Sequence, residues 1–119
     1  MEKVVLESNN SFPAKFKIKT SRDFRTIFSQ GSRIYSENFI LYTKTNSFGF
    51  PRLGVSAGRK VSPLSVRRNR IKRVLREVFR KNKPVFYSND VVFVVKNDVS
   101  NKKFSEICSE IKKLSLRIK

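Results

Sequence analysis

The chain has 119 residues, with 27 Lys+Arg against 9 Asp+Glu and a formal net charge of +18. That length suits one domain with a single modest core, and a 39% hydrophobic content with eleven Phe excludes a disordered basic tail. A single cysteine excludes an internal disulfide, and no apolar run approaches the ~20 residues that a membrane span needs.

Residues 1 to about 19 carry no strong period, and 1–15 are expected to form a loose N-terminal arm. The apolar stretch in MEKVVLESNNSF is too short for a signal peptide, and a lone thiol suits a reducing compartment, so a cytoplasmic protein is expected. Thr20-Ser21-Arg22-Asp23 has the form of a capping box, with Thr20 as N-cap and Asp23 at N3. The short helix it opens carries Phe24, Ile27 and Phe28 on one face and stops at Gly31. Two extended segments follow, near 33–35 and 39–45. In the second, Phe39, Leu41 and Thr43 alternate with Ile40, Tyr42 and Lys44. Residues 46–51 (NSFGFP) read as a turn and 52–57 (RLGVSA) as a third strand.

A long helix then runs to about Lys81, with Ser62 expected as N-cap and Pro63 at N1. Its apolar residues Ile71, Val74, Leu75, Val78 and Phe79 cover roughly 140° of the helical wheel, with Leu64 inside that arc. Asn69, Arg73, Arg76 and Arg80 fall opposite. Between Arg67 and Lys83 lie nine Lys or Arg and a single acid, Glu77. A solvated helix face normally mixes signs, whereas Lys72/Arg76 and Arg76/Arg80 repel at i, i+4. One-signed charge clustered in this way is the footprint of a polyanion, and the helix reads as a phosphate-binding rail. Beyond Pro84, the five apolar residues 91–95 suit an inner strand covered on both faces. Phe104, Ile107, Cys108, Ile111, Leu114 and Ile118 form the stripe of a closing helix, in which Cys108 is packing rather than a nucleophile. The order is α-β-β-β-α-β-α, with no repeats and no second domain within 1–119.

Protein-centred catalysis finds little support. The chain has no His to serve as a general base, no zinc-spaced Cys/His cluster and no glycine-rich phosphate loop. No catalytic residues and no metal ligands are expected.

The stretch RLGVSAGRKVSPLSVRRNRIKRVLREVFR (52–80) resembles the signature of the bacterial ribonuclease P protein subunit. A strand of the form R-hydrophobic-G-hydrophobic-S/T leads to the basic pair Arg59-Lys60, then to a helix bearing RNRIKR, RE and Phe79. SRDFRTIFSQG (21–31) and FILY (39–42) match that family's first helix and second strand, so the similarity covers about residues 16–98. Gly58-Arg59-Lys60 replaces a commoner small residue plus Lys-Lys, and Arg67 precedes the RNR; neither departure removes charge.

The resemblance implies an α+β fold, a two-layer α/β sandwich with a left-handed β-α-β crossover, like the second domain of ribosomal protein S5. Chain geometry alone would favour the opposite hand. It also implies a 1:1 partnership with a large catalytic RNA that hydrolyses precursor tRNA using magnesium held by the RNA, with no cofactor on the protein, no small-molecule substrate and no membrane. Arg67, Arg68, Asn69, Arg70, Lys72, Arg73 and Arg76 would then contact the catalytic RNA. Phe24, Phe28 and Tyr42 would line a cleft for the single-stranded 5′ leader of precursor tRNA, with Lys60 and Arg68 at its rim and Arg68 reaching both RNAs. Spacing alone favours core for both Phe residues; the resemblance favours the cleft for Phe24 and Tyr42 and leaves Phe28 open. Asn69 has a bland alternative too, a local backbone bond in the first turn. The residues also admit a ribosomal or translation-associated RNA-binding protein. A DNA-reading helix is disfavoured because such helices usually sit in helical domains, and a membrane binder by the strand content.

Overall fold

The computed structural model describes residues 13–118. Three helices and four strands follow the expected order: α1 (Ser21–Gln30), β1 (Ser32–Tyr35), β2 (Phe39–Thr45), β3 (Arg52–Ser56), α2 (Ser65–Lys81), β4 (Asn89–Val95) and α3 (Phe104–Ser115). The strands form one sheet in the order β1-β2-β4-β3. β1–β2 and β2–β4 are antiparallel, while β3 and β4 are parallel. β4 is therefore interior, as its unbroken apolar run requires, and α2 is the crossover between parallel neighbours.

Strand alternation divides the core in two. Leu41, Leu53, Val91 and Phe93 point to the face packed by Ile71, Leu75, Val78 and Phe79 of α2 and by Ile107, Ile111 and Leu114 of α3. Val92, Tyr42 and Val94 point the other way, where α1 covers part of the sheet through Ile27 and Phe24, with Ile18 beside them. The α+β class stands, and the second face is only partly covered.

Three expectations need correction. Residues 13–18 are not a loose arm. A 3-10 turn at Ala14–Phe16 leads into Lys17, which bridges to Leu53 beside β3, and Ile18 donates its N–H to the Leu53 carbonyl at 2.9 Å. A free sheet edge recruits whatever extended chain lies near it. Residues 1–12 of the expected arm lie outside the described residues.

Second, α2 starts at Ser65, with Leu64 as N-cap rather than Ser62. Ser62 is buried; its hydroxyl accepts the Leu64 N–H and its carbonyl accepts from the Arg68 guanidinium at 2.8 Å, so it closes a local turn ahead of the helix. Leu64 is therefore extended, the wheel does not apply to it, and it is 52% exposed rather than part of the apolar arc. Third, α3 ends at Ser115, and Ile118 packs from beyond it, half-buried.

The local signals at α1 hold with one change. Thr20 accepts the Asp23 N–H at 3.1 Å as N-cap, but the Asp23 carboxylate turns to Arg52 at 3.6 Å. Gly31 ends the helix for want of space, since an added Cβ would lie 2.5 Å from the Ile27 carbonyl oxygen and 2.8 Å from that of Thr43.

Candidate nucleic-acid interface

The sheet face under α1 is built in rows. Strand register aligns Arg33, Tyr42, Val92 and Gly54 in one row and Tyr35, Ile40, Val94 and Ser56 in the next. α1 lies over the first row. The Phe24 ring rests on Gly54, where a Cβ would come within 2.5 Å of Phe24 Cε1. Phe28 meets Tyr42 edge-to-face at 4.8 Å between centroids, and Phe24 and Phe28 are 6.3 Å apart. The three expected aromatics are thus one contiguous group. Phe28 is 40% exposed, which settles it as surface rather than core. The second row is an uncovered trough, with Ile40 and Val94 half-buried between exposed Tyr35 and Ser56. The sequence reading missed Tyr35, Ile40 and Val94; the even-numbered parity shared with Tyr42 was the signal for Ile40.

α2 divides its cations between two flanks. Lys72 and Arg76 join Lys17, Ile18, Phe24 and Gly54 around a narrow cleft of about 160 Å³ beside β3. Arg70 and Arg73 face α3 instead. Among the described residues, none of these four has a carboxylate partner. The acids are engaged elsewhere. Asp98 pairs with Arg67 at 3.2 Å, and a hydrogen bond from Ser100 holds its carboxyl below the ordinary range, with Arg67 adding to the effect. Glu77 takes Arg80 and, at 3.8 Å, Lys81; the Arg80 hydrogen bond lowers the Glu77 pKa and raises that of Arg80.

The remaining expected residues are placed as follows. Arg68 is tethered to the Ser62 carbonyl, and the cations lining the Phe24 cleft are Lys17, Lys72 and Arg76. Asn69 is exposed and its amide makes no hydrogen bond among the described residues. Lys60 stands exposed in the turn after β3.

At the other end of the same face, Arg52 grips Asp90 through two bonds of 2.8 and 2.7 Å and lies 4.6 Å from the Phe48 ring centroid. The hydrogen bond to Asp90 raises the Arg52 pKa. This leading Arg of the strand signature therefore clamps β3 to β4. No group of three His, Cys, Asp or Glu side chains among the described residues is arranged to hold a metal ion.

A helix with four unpaired cations, set beside an aromatic trough on an adjoining sheet, carries the chemistry for backbone phosphates and for base faces. A family model described as Ribonuclease P matches residues 12–119. The chain belongs to the ribonuclease P protein family. The ribonuclease P protein component of Syntrophus aciditrophicus is 36% identical over 96 residues, 80% of each chain. That of Thermotoga petrophila is 33% identical over 97 residues, 82% of each. The ribonuclease P protein of Thermotoga maritima superposes with a TM-score of 0.78 at 30% identity, covering 87% of this chain and 97% of that one. The Staphylococcus aureus ribonuclease P protein gives a TM-score of 0.75 at 27% identity, covering 83% and 91%. The ribonuclease P match takes in α1, α2 and the sheet together, so both halves of the interface lie inside it.

Proposed function

We propose that this chain serves as the protein subunit of ribonuclease P, binding the catalytic RNA along α2 and the 5′ leader of precursor tRNA across the face beneath α1. The observation that carries this reading is the set of four α2 cations that make neither an ion pair nor a side-chain hydrogen bond among the described residues, on a chain of net charge +18. Arg70, Lys72, Arg73 and Arg76 neutralise phosphates of the catalytic RNA, and Asn69 offers an amide to its polar groups. Arg67 and Arg68, held by Asp98 and Ser62, shape the helix entry and contribute at its margin. Leader bases stack on Phe24, Phe28 and Tyr42, and the half-open row of Tyr35, Ile40 and Val94 extends the platform. Lys72 and Arg76 border both surfaces, with Lys60 at the rim.

The RNA, with its magnesium ions, supplies the phosphodiester hydrolysis. The protein's part is to bind, to orient the leader and to lower the ion demand by screening phosphate repulsion. The reading is of a cytoplasmic 1:1 complex. Added to a bacterial ribonuclease P RNA at limiting magnesium, the protein should accelerate leader removal, and RNA-free protein should cleave nothing. Phe24→Ala and Tyr42→Ala should weaken leader-bearing precursor by roughly 1–3 kcal/mol per lost stack. Mature tRNA should be unaffected. Equal loss for mature and precursor tRNA would remove the leader assignment, and RNA binding without any effect on processing would favour a ribosomal or translation-associated role.

A further inference from the structure

The flank of α2 turned toward α3 has more than charge. Between α2 and the first turn of α3 lies a cleft of about 490 Å³ lined by Val66, Arg70, Arg73, Val74, Glu77 and Phe104. That volume falls in the range of roughly 300–1,000 Å³ usual for small-molecule sites. Val66 is 68% exposed and Phe104 is 38% exposed, so two apolar side chains stand in water beside Arg70 and Arg73. Glu77 is already engaged by Arg80 and Lys81, while Arg70 and Arg73 have no carboxylate partner among the described residues. Lys81 Nζ lies 5.4 Å from the Phe104 ring centroid.

Phosphate binding alone explains the arginines and leaves the apolar floor unexplained. A duplex presents phosphates with its bases stacked inside, whereas an unpaired nucleotide brings a π-face and a phosphate together. A protein partner that buried this floor would have to match a surface whose free charges are all positive. We propose that the cleft receives one unstacked base of the RNA bound by α2, stacked on Phe104 against Val66 and Val74, with flanking phosphates on Arg70 and Arg73. This rests on the RNA-binding reading of α2 and deepens it. The helix reads a bulged or looped nucleotide as well as a phosphate track, and so prefers structured RNA over a plain duplex.

Two variants of the full chain test this against a bacterial ribonuclease P RNA. Phe104→Leu keeps an apolar helix-former at a partly exposed position, so the fold is retained, as its thermal midpoint will verify. It should bind about tenfold more weakly, ~1.4 kcal/mol, without changing the slope of log affinity against log salt, because no phosphate contact is lost. Phe104→Trp should restore the affinity. The chain has no Trp of its own, so that indole reports the site alone. Its fluorescence should be quenched by the RNA but not by inorganic polyphosphate, which occupies arginines without offering bases. Phe104→Leu binding within twofold of the parent, or equal quenching by polyphosphate, would overturn the base site while leaving salt-dependent RNA binding intact. Loss of steep salt dependence in the parent chain would instead overturn the reading beneath it.

Discussion

Replacing the basic residues of α2 one at a time with Gln should separate those that hold RNA from those that hold the protein. Each neutralised phosphate contributes about −0.7 to −0.9 to the slope of log affinity against log salt. The four unpaired cations Arg70, Lys72, Arg73 and Arg76 together imply a slope of about −3 to −4. Arg73→Gln or Arg76→Gln should flatten it by about 0.7–0.9 and weaken binding to all sequences alike. Arg80→Gln should leave it unchanged, because Glu77 already occupies that guanidinium. The cost there is a surface ion pair, at most about 1 kcal/mol of stability. The reciprocal change is sharper. Glu77→Gln releases Arg80 and Lys81 to the RNA and should steepen the slope by about 1.4–1.8. Fluorescence anisotropy of labelled catalytic RNA across a salt series measures each slope. If Arg80→Gln flattens the slope as much as Arg73→Gln, the ion-pair pattern does not govern which cations meet phosphate, and the reasoning fails.

Gly54→Ala drives a Cβ to within 2.5–2.6 Å of the Phe24 ring, so the ring must lift and stability should fall by about 1–3 kcal/mol in denaturant titration. Gly58→Ala, with nothing within 4 Å of its added Cβ, should leave stability equal or slightly raised; similar losses at the two sites would contradict the close approach. Arg52→Met leaves Asp90, whose side chain is 10% exposed, without its charge partner and with the Asn46 amide as its remaining side-chain donor, and should cost about 3–5 kcal/mol. Denaturant titration at neutral pH measures the loss, and a cost below about 1 kcal/mol would refute the clamp.

Glu110 ties α3 to the β1–β2 turn by accepting from Ser36 Oγ and, at 2.8 and 2.9 Å, from the backbone and side chain of Asn38. Burial pushes its pKa up, but those hydrogen bonds outweigh burial and hold it below the ordinary range. Its contribution is therefore complete above ~4.3 and disappears as pH falls through the lower folded value. Glu110→Gln should cost about 1–3 kcal/mol at neutral pH and lose less on acidification than the parent, as unfolding at two pH values would reveal.

What the sequence by itself determined is what repeats along the backbone. The spacing of Ile71, Val74, Leu75, Val78 and Phe79 put α2 on the core, and the alternation in 39–45 sorted Leu41 from Tyr42. The unbroken 91–95 run placed β4 inside the sheet. These are properties of one segment, set by 3.6 residues per helical turn and two per strand repeat. Tertiary structure decided what depends on distant segments meeting. Asp98 removes Arg67 from the free cations across 31 positions. Gly54 admits the Phe24 ring, and the edge of β3 captures residues 17–18. Lys72 and Arg76 come to border the aromatic face, while Arg70 and Arg73 border Phe104. A wheel ranks α2's side chains by direction, but which neighbour stands in each direction follows from how the sheet and α3 pack around it.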